Sequence, residues 1–219
     1  MEKKIVFITG ASSGIGEGCA RKFAMNGYRL ILNARNVEKL NAVKKDLEEK
    51  YHADVYLLPF DVRDRQAAKT ALNTLPAGWK EIDILINNAG VFIFNDIVDT
   101  SPQRLETMMV LHMNTVTMLC RLFGSGMKNR GRGYILNMSS LSAWMPVPGI
   151  ALYGATKAYI RNFSRAMHHE MKPFGVGVTA VCPGGVSTGL LADIGGGSFE
   201  LVSYEDMSIT SACSLPVGS

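Results

Sequence analysis

The chain of 219 residues predicts an α/β fold, a doubly wound parallel sheet with helices on both faces and a single domain. Three observations carry that expectation. Short runs of four to six mainly apolar residues recur along the chain, as in strands covered on both faces. Longer segments with apolar residues at helical spacing alternate with them. A glycine-rich turn, Thr9-Gly10-Ala11-Ser12-Ser13-Gly14-Ile15-Gly16, joins the first run to the first helical segment.

The elements follow in order. Residues 5–8, Ile-Val-Phe-Ile, form the first strand. Residues 14–26 form a helix with Ile15, Cys19, Phe23 and Ala24 on one side, and Gly27 is the residue type that commonly ends one. The second strand is 28–32, the second helix 37–51 and the third strand 55–60. A helix over 64–75 is stopped by Pro76 and Gly78, and 82–86 is the fourth strand. Ser101-Pro102 marks the next start, a capping side chain followed by Pro at the first position. That helical pattern runs to about residue 129, long for a globular helix, with Asn114 in its middle where a polar side chain could bend it. The fifth strand is 134–138, a helix spans 152–172, and the sixth strand is 176–181.

Composition narrows the function classes. Hydrophobic residues make up 47% and charged residues 19%, enough apolar content for a sizeable core. The net charge of +4 is small and dispersed, which argues against nucleic acid. Cys19, Cys120, Cys182 and Cys213 form no CxxC pair, so reduced thiols in a cytoplasmic protein are expected, with no metal. His168 and His169 are adjacent, and adjacent helical residues point in different directions, which disfavours a two-ligand site. Stretches 133–156 and 174–192 lack charge but are broken by Gly and Pro, so they are expected to be buried strands and loops rather than bilayer spans.

The motifs point to chemistry at one end of the sheet. Gly10, Gly14 and Gly16 let backbone approach a pyrophosphate, and the N–H groups that open the helix face its charge. The second strand ends Asn33-Ala34-Arg35. An acid there suits the ribose hydroxyls of NAD, whereas Arg35 can accept the 2′-phosphate of NADP, so NADP is the expected cofactor. Asn87-Asn88-Ala89-Gly90 follows the fourth strand as a wall beside the cofactor. Tyr153 and Lys157 share a helix face, and the ammonium is expected to depress the phenol pKa so that it can exchange a proton with a substrate oxygen. Ser140, thirteen residues earlier, can hydrogen-bond that oxygen.

In order, these pieces resemble the short-chain dehydrogenase/reductase family. They comprise the turn at Thr9 to Gly16, Asp61, the Asn87 to Gly90 wall, Asn114, Ser140, Tyr153 with Lys157, and Pro183-Gly184 with Thr188. The resemblance covers residues 1 to about 190 and implies a Rossmann-like, NADP(H)-dependent oxidoreductase acting on CH–OH groups. It assigns Tyr153 as acid/base, Lys157 to the nicotinamide ribose and the tyrosine pKa, and Ser140 to the substrate carbonyl. Asn114 would hold a water linking Lys157 to solvent. Gly10, Ser12, Ser13, Gly14, Ile15, Gly16, Arg35, Asn87, Ala89, Gly90, Pro183 and Gly184 would line the cofactor. Asp61 and Val62 would meet its adenine, and Val186 and Thr188 its carboxamide and phosphates. The family also implies a homodimer or homotetramer.

Candidate substrate-pocket residues are Val91, Phe92, Phe94, Leu141, Trp144, Met145, Leu190 and Leu191, which implies a largely apolar small molecule. Beyond residue 190 the family pattern is lost. Residues 191–219 are expected to be an atypical flexible tail, and the usual final strand and helix to be missing. Two rivals stay open: an NADP-binding regulatory module without turnover, and a lyase or epimerase on the same scaffold.

Overall fold

The computed structural model describes residues 3–184, together with the backbone of residues 191–195, 198–205 and 208–216. Its strands β1 (Ile5–Thr9), β2 (Arg29–Asn33), β3 (Val55–Leu57), β4 (Ile84–Asn87), β5 (Gly133–Met138) and β6 (Val176–Val181) build one parallel sheet. The strand order is β3-β2-β1-β4-β5-β6. The order reverses between β1 and β4, and in such sheets ligands bind in the crevice outside the carboxyl ends of the strands at that reversal. β3 has three residues against the six expected. Leu58 still donates its N–H to Leu32, but Pro59 has none to donate, so the ladder stops.

Alternation along β1 divides the core. Val6 and Ile8 pack with Cys19, Phe23, Leu40 and Leu47 of α1 (Gly14–Met25) and α2 (Val37–Tyr51). Ile5 and Phe7 face the other way. There they meet helices α5 (Val116–Arg130) and α6 (Ala151–Met171), through Leu119, Met127, Ile160 and Met167. Phe7 and Ile8 are wholly buried, and each such side chain contributes about 1.5–3 kcal/mol relative to exposure. Helix α3 (Arg65–Asn73) is capped by Asp64, whose carboxylate accepts the N–H groups of Gln66 and Ala67.

The long helix expected from residue 102 is interrupted. Helix α4 (Pro102–Met109) passes through a π-helical segment (Val110–Thr115) into α5. Such a wide turn rotates the following residues relative to an unbroken α-helix and often marks a functional site.

Within the described residues no strand extends the sheet beyond β6. Instead β7 (Leu191–Gly195), β8 (Ser198–Glu205) and β9 (Ser208–Pro216) pair antiparallel in a separate sheet, with a register shift at Ser203–Tyr204. The sequence pattern suggested no strand here. In a segment this rich in Ser and Gly, backbone pairing leaves only a weak side-chain alternation to read. Among the described residues, no helix is long and apolar enough to cross a membrane, and no group of three or more His, Cys, Asp or Glu could hold a metal.

Candidate active site

The glycine turn lies at the tip of β1. Gly10 has φ 66° and Gly14 φ 57°, both left-handed, and a Cβ on Gly10 would come within 2.9 Å of the Ala89 Cα. A Cβ on Gly16 would strike the Gly10 carbonyl oxygen. Ser13 takes the N-cap position of α1 in extended backbone, but its side chain makes no capping bond, so the first-turn N–H groups stay uncapped. Helix starts with such free N–H groups are suited to anions. Gly16→Ala is expected to cost about 1–3 kcal/mol, because backbone rather than a flexible side chain must move. Chemical denaturation of the two proteins checks this.

A cavity of about 390 Å³ runs from Gly10, Ser12 and Ser13 to Arg35, Asp61, Val62 and Arg63. Asn88, Ala89 and Gly90 form its wall. Ile15 packs on the core beneath the turn. Arg63 clamps Asp61, its Nε donating to Oδ1 at 3.0 Å and its terminal nitrogen to Oδ2 at 2.6 Å. That guanidinium holds the Asp61 carboxyl below the usual carboxylate range. Arg35 is 70% exposed and reaches Asp61 only at 3.9 Å. With Asp61 already paired, the Arg35 guanidinium faces the cavity with most of its donors uncommitted. The sequence reading missed Arg63, since an arginine in a polar loop carries no signal of what it clamps.

The tips of β1 and β4 are bonded together. The Thr9 hydroxyl accepts the N–H groups of Asn88 and Ala89, both at 3.0 Å. Asn88 Nδ2 donates to the carbonyls of Thr9 at 3.0 Å and Gly10 at 3.2 Å. Of the Asn pair, it is therefore Asn88 that braces the glycine turn. Asn87 turns into the interior, where its Nδ2 donates to Asn137 Oδ1 at 2.8 Å, and Asn137 donates in turn to Ser164. Asn87 Oδ1 is buried without a protein partner.

Tyr153, Lys157 and Ser140 converge beyond the end of β5. Ser140 Oγ accepts the Ser142 N–H at 3.2 Å and lies close enough to the Tyr153 phenol to favour its ionised form. Its neighbour Ser139 is buried and donates to the Lys157 carbonyl at 2.7 Å, so of the two serines only Ser140 faces the tyrosine. The half-buried Tyr153 ring meets Phe92 edge-on at 4.9 Å. Lys157 is 5% exposed, donates from Nζ to the Met138 carbonyl at 2.8 Å, and lies 5.5 Å from the Tyr153 ring centre. Burial pulls its pKa down to about 8.

The expected depression of the tyrosine pKa is not found. Burial raises the Tyr153 phenol above its ordinary value, with the nearby Ser140 hydroxyl in opposition. The lysine ammonium is committed to the Met138 carbonyl rather than to the phenol oxygen.

A second correction concerns Asn114. Its side chain is exposed and its Oδ1 accepts from Arg65 of α3 at 2.6 Å, so it does not join Tyr153 and Lys157. The π-helical segment instead turns His112 toward them. His112 is 1% exposed and stands edge-on to Tyr153 at 5.8 Å. The signal was available: His112 lies on the apolar stripe of Met108, Leu111, Val116 and Leu119, whereas Asn114 shares the outward face with Arg121.

Pro183 anchors the loop after β5, its carbonyl accepting the Leu141 N–H at 2.8 Å, and Gly184 is exposed beside it. Val186, Thr188 and Leu190 lie outside the described residues, as does the side chain of Leu191. Phe92, Phe94, Leu141, Trp144 and Met145 are exposed, and Val91 is half-buried. Arg161 stacks over Trp144 at 3.8 Å.

Comparison with known proteins agrees with this geometry. Residues 4–197 match the family model described as short chain dehydrogenase. The NADP-dependent 3-hydroxy acid dehydrogenase YdfG of Salmonella typhi is 37% identical over 181 residues, covering 82% of this chain and 71% of that protein. The serine 3-dehydrogenase of Rhizobium radiobacter is 34% identical over 191 residues, covering 82% and 70%. Among solved structures, the short-chain dehydrogenase from Sphingobium yanoikuyae in complex with NADPH superposes with a TM-score of 0.78 at 33% identity, over 84% of this chain and 72% of that one. A doubly wound sheet with a glycine turn at its switch point, a Ser–Tyr–Lys cluster beside it and a family match over most of its length together place this chain in the short-chain dehydrogenase family.

Proposed function

We propose that the chain is an NADP(H)-dependent oxidoreductase that interconverts a carbonyl compound and an alcohol, with Tyr153 as the acid/base. The observation that carries this reading is the convergence of Ser140, Tyr153 and Lys157 at the same strand ends as the glycine turn.

The residues present fit the dinucleotide. The side-chain-free cradle of Gly10 and Gly16 and the uncapped start of α1 suit a pyrophosphate. Arg35 suits a 2′-phosphate, and Asp61 with Val62 forms the floor for an adenine. When bound, the cofactor supplies or takes the hydride. The chain's own groups handle the rest. In reduction the Tyr153 hydroxyl gives its proton to the carbonyl oxygen, and the Ser140 hydroxyl donates a second hydrogen bond to that oxygen. Raising the phenol pKa by burial keeps the proton on Tyr153 until the oxygen needs it. The buried Lys157 ammonium, held by Met138, supplies positive charge behind the ring as the phenolate forms.

The rim of exposed Phe92, Phe94, Leu141, Trp144 and Met145 favours a substrate with an apolar substituent next to its carbonyl. The test is NADPH oxidation followed by absorbance with a panel of apolar ketones and 3-oxo esters, and NADP⁺ reduction with 3-hydroxy acids. Cofactor binding without turnover on any of them would overturn the oxidoreductase reading.

Arg35→Ala is expected to weaken NADPH about 10–100-fold, the size of a charge-assisted bond to phosphate, and to leave NADH unchanged. Fluorescence titration with both cofactors measures this. Equal wild-type affinities for the two would remove the NADP assignment.

A further inference from the structure

We propose that His112 is a positioning residue of this centre, an imidazole bridge that fixes the Gly90–Val91 loop against the turn of α6 carrying Tyr153. The inference rests on the oxidoreductase reading above and adds a residue that the sequence motifs do not contain.

The hydrogen bonds define the bridge. The Val91 N–H can only donate, so His112 Nε2, 3.1 Å away, accepts and carries no proton. The neutral ring then keeps its proton on Nδ1 and donates it to Thr156 Oγ1 at 2.9 Å. Thr156 passes the direction on, its hydroxyl donating to the Tyr153 carbonyl at 2.8 Å. Every polar atom in this chain from Val91 to Tyr153 is satisfied, and both ring nitrogens are used. The imidazole also packs edge-on to the Tyr153 ring at 73°.

Two further features fit the role. Gly90 lies so close that a Cβ there would come within 3.1 Å of His112 Nε2, so the glycine of the β4 turn admits the ring. The group of like charge facing the imidazole is the Lys157 ammonium on α6. Burial, with Lys157 adding to it, pulls the imidazole pKa down to about 3. A protonated ring would also point an Nε2–H at the Val91 N–H, donor against donor. The bridge is therefore a fixed spacer between the β4 loop and the catalytic helix. Its effect on chemistry comes through Tyr153, where small errors in placement cost large factors in rate.

The test uses the whole chain with NADPH. His112→Phe keeps an aromatic ring and removes both hydrogen bonds, and Thr156→Val cuts only the link to α6. Each is expected to lower kcat about tenfold with NADPH dissociation constants close to wild type. The double variant is expected to be no worse than His112→Phe, since both substitutions break one bridge. Independent multiplication of the two effects, or cofactor affinity falling in step with kcat, would overturn the proposal. Imidazole ¹⁵N shifts of the wild type, assigned by the signal lost in His112→Phe, give a readout free of turnover. A neutral Nδ1–H tautomer unchanged from pH 5 to 8 is expected. A ring that titrates there or carries its proton on Nε2 refutes the bridge. Should His112→Phe not fold, Thr156→Val and the wild-type spectrum still decide. Absence of wild-type turnover would sink the oxidoreductase reading alone, because the tautomer result stands apart from it.

Discussion

Tyr153→Phe is expected to lower kcat for carbonyl reduction about a thousandfold, within the range set by a positioned proton donor, and to change the NADPH dissociation constant by less than about twofold. The substitution removes one oxygen. The ring keeps its edge-on contacts with Phe92 and His112, so shape and packing persist. What is lost is the hydroxyl with its proton, beside Ser140. The direction of the tyrosine shift adds a pH signature. Reduction needs the protonated phenol, and burial pushes its ionisation above the ordinary range in the free protein. Reduction should therefore hold level across neutral pH and fall only on the alkaline side. Oxidation needs the phenolate and should climb with pH. Stopped-flow absorbance of both proteins from pH 6 to 10 measures this. A variant that keeps turnover within a few-fold of wild type would remove Tyr153 from the mechanism and leave Ser140 and Lys157 without a proton partner.

The parts of this site legible in the sequence are those that depend on local chain geometry. The glycine turn could be read because only small residues fit where Gly10 abuts Ala89 and Gly16 abuts Gly10. The six sheet strands could be read because β1, β2 and β4 are buried on both faces and so appear as unbroken apolar runs. Residues acting across the fold were harder. The resemblance assigns the relay to Asn114, and the π-helical segment decides otherwise by turning His112 inward. Helix phase, not composition, separates the two, and His112 is the polar residue interrupting an apolar stripe. Thr9 acts through partners about 80 positions away, contacts that no single-sequence period encodes, and Arg63 sits in a polar loop that does not announce its clamp on Asp61. The lysine effect on Tyr153 failed for a related reason: spacing places two side chains on one face, but the Met138 carbonyl that claims the ammonium comes from β5.

That claim on the ammonium leads to the second large effect. Lys157→Met is expected to abolish most turnover while making the cofactor-free protein more stable at neutral pH. The buried ammonium has its pKa drawn from 10.5 down to about 8, so holding the proton in the folded state costs roughly 3 kcal/mol near pH 7. Methionine fills a similar volume without charge, but leaves the Met138 carbonyl without its 2.8 Å donor, a loss of about 1 kcal/mol. The net gain at pH 7 is about 2 kcal/mol. Between pH 8 and 10.5 the unfolded lysine binds more protons than the folded one, so wild-type stability rises with pH through that window. The variant lacks this contribution, and other titrations cancel in the difference between the two proteins. Its advantage should therefore shrink above pH 8 and reverse near the unfolded lysine pKa, which urea denaturation from pH 7 to 10.5 follows directly. A difference that stays constant across the window would mean that the folded Lys157 keeps the ordinary pKa of a hydrated lysine, and the desolvated charge placed behind Tyr153 would go with it. A crossing with turnover lost would instead identify a residue that destabilises the fold in the place where it serves the reaction.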